Sequence, residues 1–214
     1  MPAMMGVVSP SERHPPLWSR AWEDVRAVLR RDPSASSALD VVLFATGLHV
    51  VWAYRWQHWL WERGLRRLAI LFAQRTRRRY GIDIHPAATI GRRFVIDHGF
   101  GLVIGQTTVI GDDCMIYQGV TLGMTGHHGG KRHPTLGDDV MVGAGAIVLG
   151  DIHVGSHSKV GAGAVVVHDV PEGVTVAGVP ARVIGDRCRE GRCELSLVPP
   201  VNMDSEDVRW SCAL

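Results

Sequence analysis

Three short polar segments carry the residue types that acid–base chemistry needs: Asp83-Ile-His85-Pro, Asp97-His98-Gly and Lys131-Arg132-His133-Pro. A histidine is the natural general base near neutral pH, contributing ~10²–10⁴-fold to a rate. It needs an acceptor on its other ring nitrogen, which fixes the tautomer and stabilises the imidazolium. His98 follows Asp97 directly and lies fifteen residues after Asp83. By residue type alone, Asp83 and His98 are either such a dyad or two surface residues on a turn. A second chemistry is also open. His128 and His133 have an H-x4-H spacing, and with His98 they would supply three ligands to a catalytic zinc. Against zinc, His128 sits in a glycine-flanked loop and Arg132 would set a cation beside the metal.

The frame that must position these groups is a repeat. Leu136, Val142, Val148, Val154, Val160 and Val166 fall at every sixth position. The same beat runs through Ile104, Ile110, Ile116 and Leu122, and earlier through Ile84, Ile90 and Ile96. A fixed internal period decides the architecture before any other feature. Six does not match a helix, but it is even, so extended chain returns the same face at every repeat. Gly, Ala, Asp, Thr and Val between the anchors suit short strands and tight turns. A conventional sandwich would have to reproduce this spacing by chance.

The beat slips twice. Eight residues separate Ile96 from Ile104, and fourteen separate Leu122 from Leu136. The first surplus predicts a bulge near Asp97-His98; the second predicts a loop extruded from the repeat. Loops on a rigid scaffold are where chemistry tends to sit. Hexads of this kind resemble the hexapeptide-repeat family. The resemblance implies a left-handed parallel β-helix with three hexads per coil, a handedness that parallel crossovers otherwise avoid. Stability is then roughly a sum of terms between neighbouring coils. With about eighteen residues per coil, Asp83 and His98 would meet in neighbouring coils.

The first eighty residues differ in kind. They hold 13 Lys+Arg against 6 Asp+Glu, a balance of +7, whereas the remainder holds 10 against 15. Apolar spacing predicts helices over Leu17–Arg31, from a Ser36/Ser37 cap through Phe44, over Leu48–Trp61 and over Leu65–Arg79, with Gly81 as the stop. Trp52, Trp56 and Trp59 follow i, i+4, i+7, which predicts a buried helix–helix or subunit interface. The Arg75–Arg79 cluster reads as a solvated helix end, where cations suit the macrodipole. No aromatic residues interleave it as a nucleic-acid platform would. Cys114, Cys188, Cys193 and Cys212 form no CxxC and are too few for a disulfide framework, so a reducing, cytoplasmic setting is expected. No signal peptide is indicated. Residues 38–54 are apolar but interrupted by Asp40 and His49, and no membrane span is expected. The resulting expectation is an α+β chain: a flexible N-terminus (1–16), a helical region (17–80), a β-helix (81–185) with an extruded loop (123–135), and a polar tail (186–214).

Longer segments narrow the chemistry. Asp83-Ile-His-Pro-Ala-Ala-Thr-Ile-Gly91, Ile96-Asp-His-Gly-Phe-Gly-Leu-Val-Ile-Gly105, Val120-Thr-Leu-Gly-Met-Thr-Gly126, Gly130-Lys-Arg-His-Pro134 and Ala177-Gly-Val-Pro-Ala-Arg182 together resemble the serine O-acetyltransferase family. The likeness extends upstream through Arg31-Asp-Pro33 and His58-Trp-Leu-Trp61, so it covers roughly residues 28–185. The resemblance implies acetyl transfer from acetyl-CoA to the L-serine hydroxyl, giving O-acetyl-L-serine for cysteine biosynthesis. His98 would take the hydroxyl proton, with Asp83 holding the imidazole. Asp32 and Asp97 would face the substrate ammonium. Arg132, whose fork matches a carboxylate, would hold the other end, with His133 completing the pocket. Acetyl-CoA would lie between neighbouring subunits against Gly123, Thr125, Ala144 and Ala162, with no metal and no acyl-enzyme.

Two departures stand out. Met124 replaces a usual glycine, and the chain ends in Leu214 where partners of cysteine synthase typically end in isoleucine. A homotrimer or a dimer of trimers and feedback by L-cysteine are implied; a sugar or other small hydroxyl acceptor is the nearer alternative to serine, and a γ-carbonic-anhydrase-like zinc enzyme the more distant one.

Overall fold

In the computed structural model, which describes residues 17–126 and 129–186, the chain divides into four helices and a stack of two- to five-residue strands. Expectations for residues 1–16, for the tail beyond Asp186 and for His128 lie outside the described residues. The helices are α1 (Leu17–Arg31), α2 (Ala38–Phe44), α3 (Thr46–Glu62) and α4 (Arg66–Tyr80). The Ser37 hydroxyl caps α2 by accepting the Asp40 N–H, while the Asp40 carboxylate accepts from the Ser36 and Ser37 hydroxyls. α3 starts two residues earlier than the apolar spacing predicts, because Ala45 closes α2 and opens α3 at once. α4 ends on Gly81 at φ 66°, a left-handed cap that costs glycine little.

The strands form a left-handed parallel β-helix with three faces. The first face stacks Asp83–Ile84, Val103–Ile104, Thr121–Gly123, Ile147–Leu149 and Val165–Val166. The second stacks Thr89–Ile90, Val109–Ile110, Thr135–Leu136 and His153–Val154. The third stacks Val95–Ile96, Met115–Ile116, Met141–Val142, Lys159–Val160 and Val174–Ala177, closed by the antiparallel Arg182–Asp186. Registers record how the slips are absorbed. Ile84 pairs with Ile104 twenty residues on, Ile104 with Leu122 eighteen on, Leu122 with Val148 twenty-six on, and Val148 with Val166 eighteen on. Surplus residues leave at the edges, so every anchor from Ile84 to Val166 stays in the core.

The third face differs from the others in burying both residues of its first two strands. Val95 and Met115 point outward but are covered by Val25, Val28, Val41 and Leu48 of the helical layer. No single helix among the described residues is long and apolar enough to cross a membrane; α2 and α3 pass such a test together but are bent by 68°. The tryptophan row does not form one buried stripe. Trp52 packs on the helical core, whereas Trp56 is half exposed, stacked on Trp59, whose other neighbour is the Arg63 guanidinium at 3.8 Å.

The helical layer packs tightly on the β-helix at Gly47, near the start of α3. A Cβ there would lie 2.0 Å from the Ile96 carbonyl oxygen, one residue before Asp97. Gly47→Ala must therefore push α3 away from that turn, and overpacking of this kind costs about 1–3 kcal/mol. Urea unfolding should show a loss in that range; an unchanged midpoint would mean that the contact yields freely.

Candidate active site

The first surplus sits on the edge between the third and first faces. His98 has φ 55° and Gly99 φ 79°, and the Gly99 N–H closes back on the Asp97 carbonyl at 2.6 Å. This left-handed turn throws the His98 side chain outward, where it is 78% exposed with Nε2 3.8 Å from the Asp97 carboxylate. A cleft of about 240 Å³ opens here, lined by Val28, Asp32, Gly47, Asp97 and His98 among others. That volume is below the range of drug-sized pockets and suits a small metabolite. The Asp32 Oδ1 accepts from the Ser34 hydroxyl at 2.6 Å and the Ser34 N–H at 2.8 Å. Those bonds, with the nearby His98, hold its carboxyl below the usual range, so it stays ionised. Asp32, Asp97 and His98 are thus together.

The second surplus sits on the edge between the first and second faces, and Thr107 organises it. The Thr107 hydroxyl accepts the backbone N–H groups of Arg132 and His133, each at 3.1 Å, and faces the His133 Nδ1 at 2.9 Å. The Thr107 N–H also donates to that nitrogen at 3.3 Å. A neutral ring accepting at Nδ1 carries its proton on Nε2. Lys131 ties the loop down by donating to the carbonyls of Thr107 and His133. The Arg132 guanidinium is aimed by the Gln106 Oε1 at 2.6 Å and the Gly130 carbonyl at 3.1 Å. Gly105 makes room for the pair: a Cβ there would lie 1.9 Å from the His133 ring.

Within one chain the predicted residues fall on separate edges. Ala144 and Ala162 share the His98 edge, in the turns above it, while Gly123 and Thr125 lead into the Arg132 loop. Asp83 opens the first face between the two edges, and its carboxylate pairs with Arg77 at 3.1 Å rather than with His98. Met124 is exposed at the root of the loop. Among the described residues there is no group of three or more His, Cys, Asp or Glu able to hold a metal. Spacing did not single out Gly47, Gln106 or Thr107, because each acts through one contact that only the fold creates. His85 stood in a polar segment without a role. Its Nδ1 accepts the Ala87 N–H at 3.0 Å and its ring meets the edge of Trp61.

Burial pushes the His133 ring below the ordinary imidazole value of 6.5, and Arg132, Lys131 and His85 add to the effect. Burial lowers His85 likewise, opposed by Asp83. Both rings are therefore harder to protonate folded than unfolded, so the stability they permit is present above about pH 6.5 and lost as pH falls toward their folded values. The urea midpoint should fall between about pH 7 and pH 5, and His133→Gln should flatten part of that fall. A slope identical in the variant would count against a neutral, buried His133.

Comparison with known proteins places this geometry in a family. Residues 133–168 match the bacterial transferase hexapeptide (six repeats) family. The chain is 56% identical over 162 residues to the serine acetyltransferase of Mycobacterium tuberculosis, covering 76% of this chain and 71% of that one. Among solved structures, the serine acetyltransferase of Brucella abortus in complex with coenzyme A superposes with a TM-score of 0.80 at 44% identity, over 83% of this chain and 71% of that one. The Neisseria gonorrhoeae enzyme in complex with serine gives 0.76 at 42%, over 78% and 68%. A serine acetyltransferase in complex with cysteine gives 0.78 at 42%, over 81% and 72%. With identity this high across most of both chains, the protein belongs to the serine acetyltransferase family.

Proposed function

We propose that this chain transfers the acetyl group of acetyl-CoA to the hydroxyl of L-serine, with an active site assembled from two edges of neighbouring subunits. The observation that carries this reading is the division of charge between the edges. One edge pairs two carboxylates, Asp32 and Asp97, with the exposed imidazole of His98. The other presents the Arg132 guanidinium beside a neutral His133. An amino-acid zwitterion needs both ends met at once, which positions its hydroxyl. A homotrimer, alone or as a dimer of trimers, would set one chain's His98 edge against its neighbour's Arg132 edge. Acetyl-CoA would lie in that seam along Gly123, Thr125, Ala144 and Ala162, where small side chains admit an extended ligand.

In the reaction His98 takes the serine Oγ proton as that oxygen attacks the thioester carbonyl. The tetrahedral species collapses, the C–S bond breaks, and the coenzyme A sulfur recovers the proton from the imidazolium. Asp32 and Asp97 meet the substrate ammonium, and Asp83 is the proposed orienting carboxylate of the imidazole. Its present pairing with the exposed Arg77 is of a kind worth little, so exchanging it for His98 is inexpensive. No acyl-enzyme and no metal enter. A sugar acceptor would leave the paired carboxylates of Asp32 and Asp97 without a cation to meet. L-cysteine, isosteric with serine apart from its sulfur, fits the same pocket as a feedback inhibitor. The cytoplasm is the proposed setting, in keeping with a coenzyme A substrate. Docking into cysteine synthase through Leu214 would fall to the chain end, outside the described residues.

A thiol-release assay with acetyl-CoA against L-serine, L-homoserine and a panel of sugars tests the reaction directly, with turnover expected on serine. His98→Ala should lower kcat by ~10²–10⁴-fold with the fold intact, and near-normal turnover would remove His98 as the base. Arg132→Ala should raise the serine KM by about 10–100-fold, the worth of a hydrogen bond to a charged group. An unchanged KM would deny Arg132 the carboxylate.

A further inference from the structure

We infer that Arg31, clamped to Asp139, is a positioning residue for the ammonium end of the serine site. It lies outside the cleft and acts through its neighbour Asp32. The clamp rests on the reading of Asp32 as an ammonium-binding carboxylate.

The Arg31 Nη2 donates to the Asp113 carbonyl at 2.6 Å and to the Asp139 carboxylate at 3.0 Å. These acceptors belong to successive coils on the edge between the second and third faces, and both residues are left-handed, at φ 58° and 52°. The other Asp139 oxygen lies 3.1 Å from the His157 Nδ1, so the acceptor is itself held from the next coil. Arg31 is the last residue of α1, where a cation is favoured by the helix dipole. Only 24% of its side chain is exposed, which shields the pair from full screening.

Asp32 cannot move independently of that turn. Its N–H still donates to the Val28 carbonyl at 2.8 Å, so its backbone is carried by the end of α1. Pro33 restricts Asp32 to extended conformations. Its carboxylate is turned by Ser34, and its carbonyl accepts the Ala35 N–H at 3.1 Å. Val28 and Asp32 line the same cleft as Asp97 and His98. A lateral shift of the α1 end therefore moves one wall of the cleft against the other. The middle of α1 has its own tie, Glu23 to Arg92 at 2.6 Å on the first coil. It lies about two and a half helical turns from Asp32 and gives an internal control.

If Arg31 served only to anchor a helix end, losing it would lower stability without a preference for one substrate. A positioning role instead predicts a split between kinetic constants. In the full-length enzyme, Arg31→Met should raise the serine KM ~10-fold while kcat stays within ~2-fold and the acetyl-CoA KM is unchanged. Arg31→Lys should recover most of the loss, since an ammonium still reaches Asp139. Asp139→Asn, which keeps a residue tolerant of left-handed φ, should raise the serine KM in the same direction, and the double variant should be no worse than Arg31→Met. Glu23→Gln should leave the serine KM unchanged. A serine KM within ~2-fold of wild type in Arg31→Met overturns the inference, as does an equal rise in Glu23→Gln. Should Arg31→Met not fold, Asp139→Asn carries the comparison, and a wild-type serine KM in that variant overturns the inference. Asp32→Asn separates the two readings. If it leaves the serine KM unchanged, Asp32 itself is misassigned; if it raises the KM while Arg31→Met does not, only the clamp fails.

Discussion

The interior of the β-helix takes two mostly apolar side chains, two residues apart, from nearly every face and coil, and this constraint shapes what lies outside it. Leu102, Ile104, Val120, Leu122, Ala146 and Val148 are all fully buried, layer on layer. Truncating one such anchor would cost about 2–5 kcal/mol, because a stacked core cannot collapse around a hole from one side only. The stack therefore holds its register, and surplus residues must leave at an edge. The coil lengths of twenty and twenty-six residues are the visible result. Left-handed turns recur at the regular edges as well, but the surplus residues leave where His98 and the Arg132 loop stand.

From that follows a division of labour among the three edges. The edge between the third and first faces carries His98 on a left-handed turn, with Asp97 beside it. The edge between the first and second faces carries the long loop, folded onto Thr107 and Gly105 so that Arg132 and His133 are fixed. The edge between the second and third faces carries none of the proposed site residues and anchors the helices. There Arg92 and Arg93 meet Glu23, and Asp113 and Asp139 meet Arg31. A prism separates its edges by construction, so the two functional edges of one chain face different directions.

The helical layer completes one side of the site rather than adding a separate unit. Gly47 lets α3 touch the Ile96 carbonyl, and α1 is locked to α3 by the buried pair Asp24–Arg55, two hydrogen bonds at 2.9 Å. Burial pushes the Asp24 carboxyl upward while Arg55 opposes it. Such a pair adds little net stability but strongly penalises any geometry that separates it. Here it fixes where α1 lies, and hence where Asp32 stands relative to His98.

Much of this was legible in the residues. The six-residue beat determined the β-helix, since an even period of aliphatics has no comparable solution in a helix or a lone sheet. Its two slips marked the edges that carry the proposed site, and the short motifs at those slips supplied His98, Arg132 and His133 as its candidates. Other features depend on distance and not on order along the chain. That Asp83 pairs with Arg77, that Thr107 holds the Arg132 loop, and that Gly105 exists to seat an imidazole are consequences of packing between coils. Within one chain Trp56 is half exposed and stacked on Trp59, so its spacing does not place it in the core of the helical layer. Sequence thus determined the frame and supplied the candidate groups of the proposed site, because burial of a periodic core is a local and repetitive decision. Only the tertiary structure decided which groups meet, because contact across coils and layers depends on where each surplus residue leaves the stack.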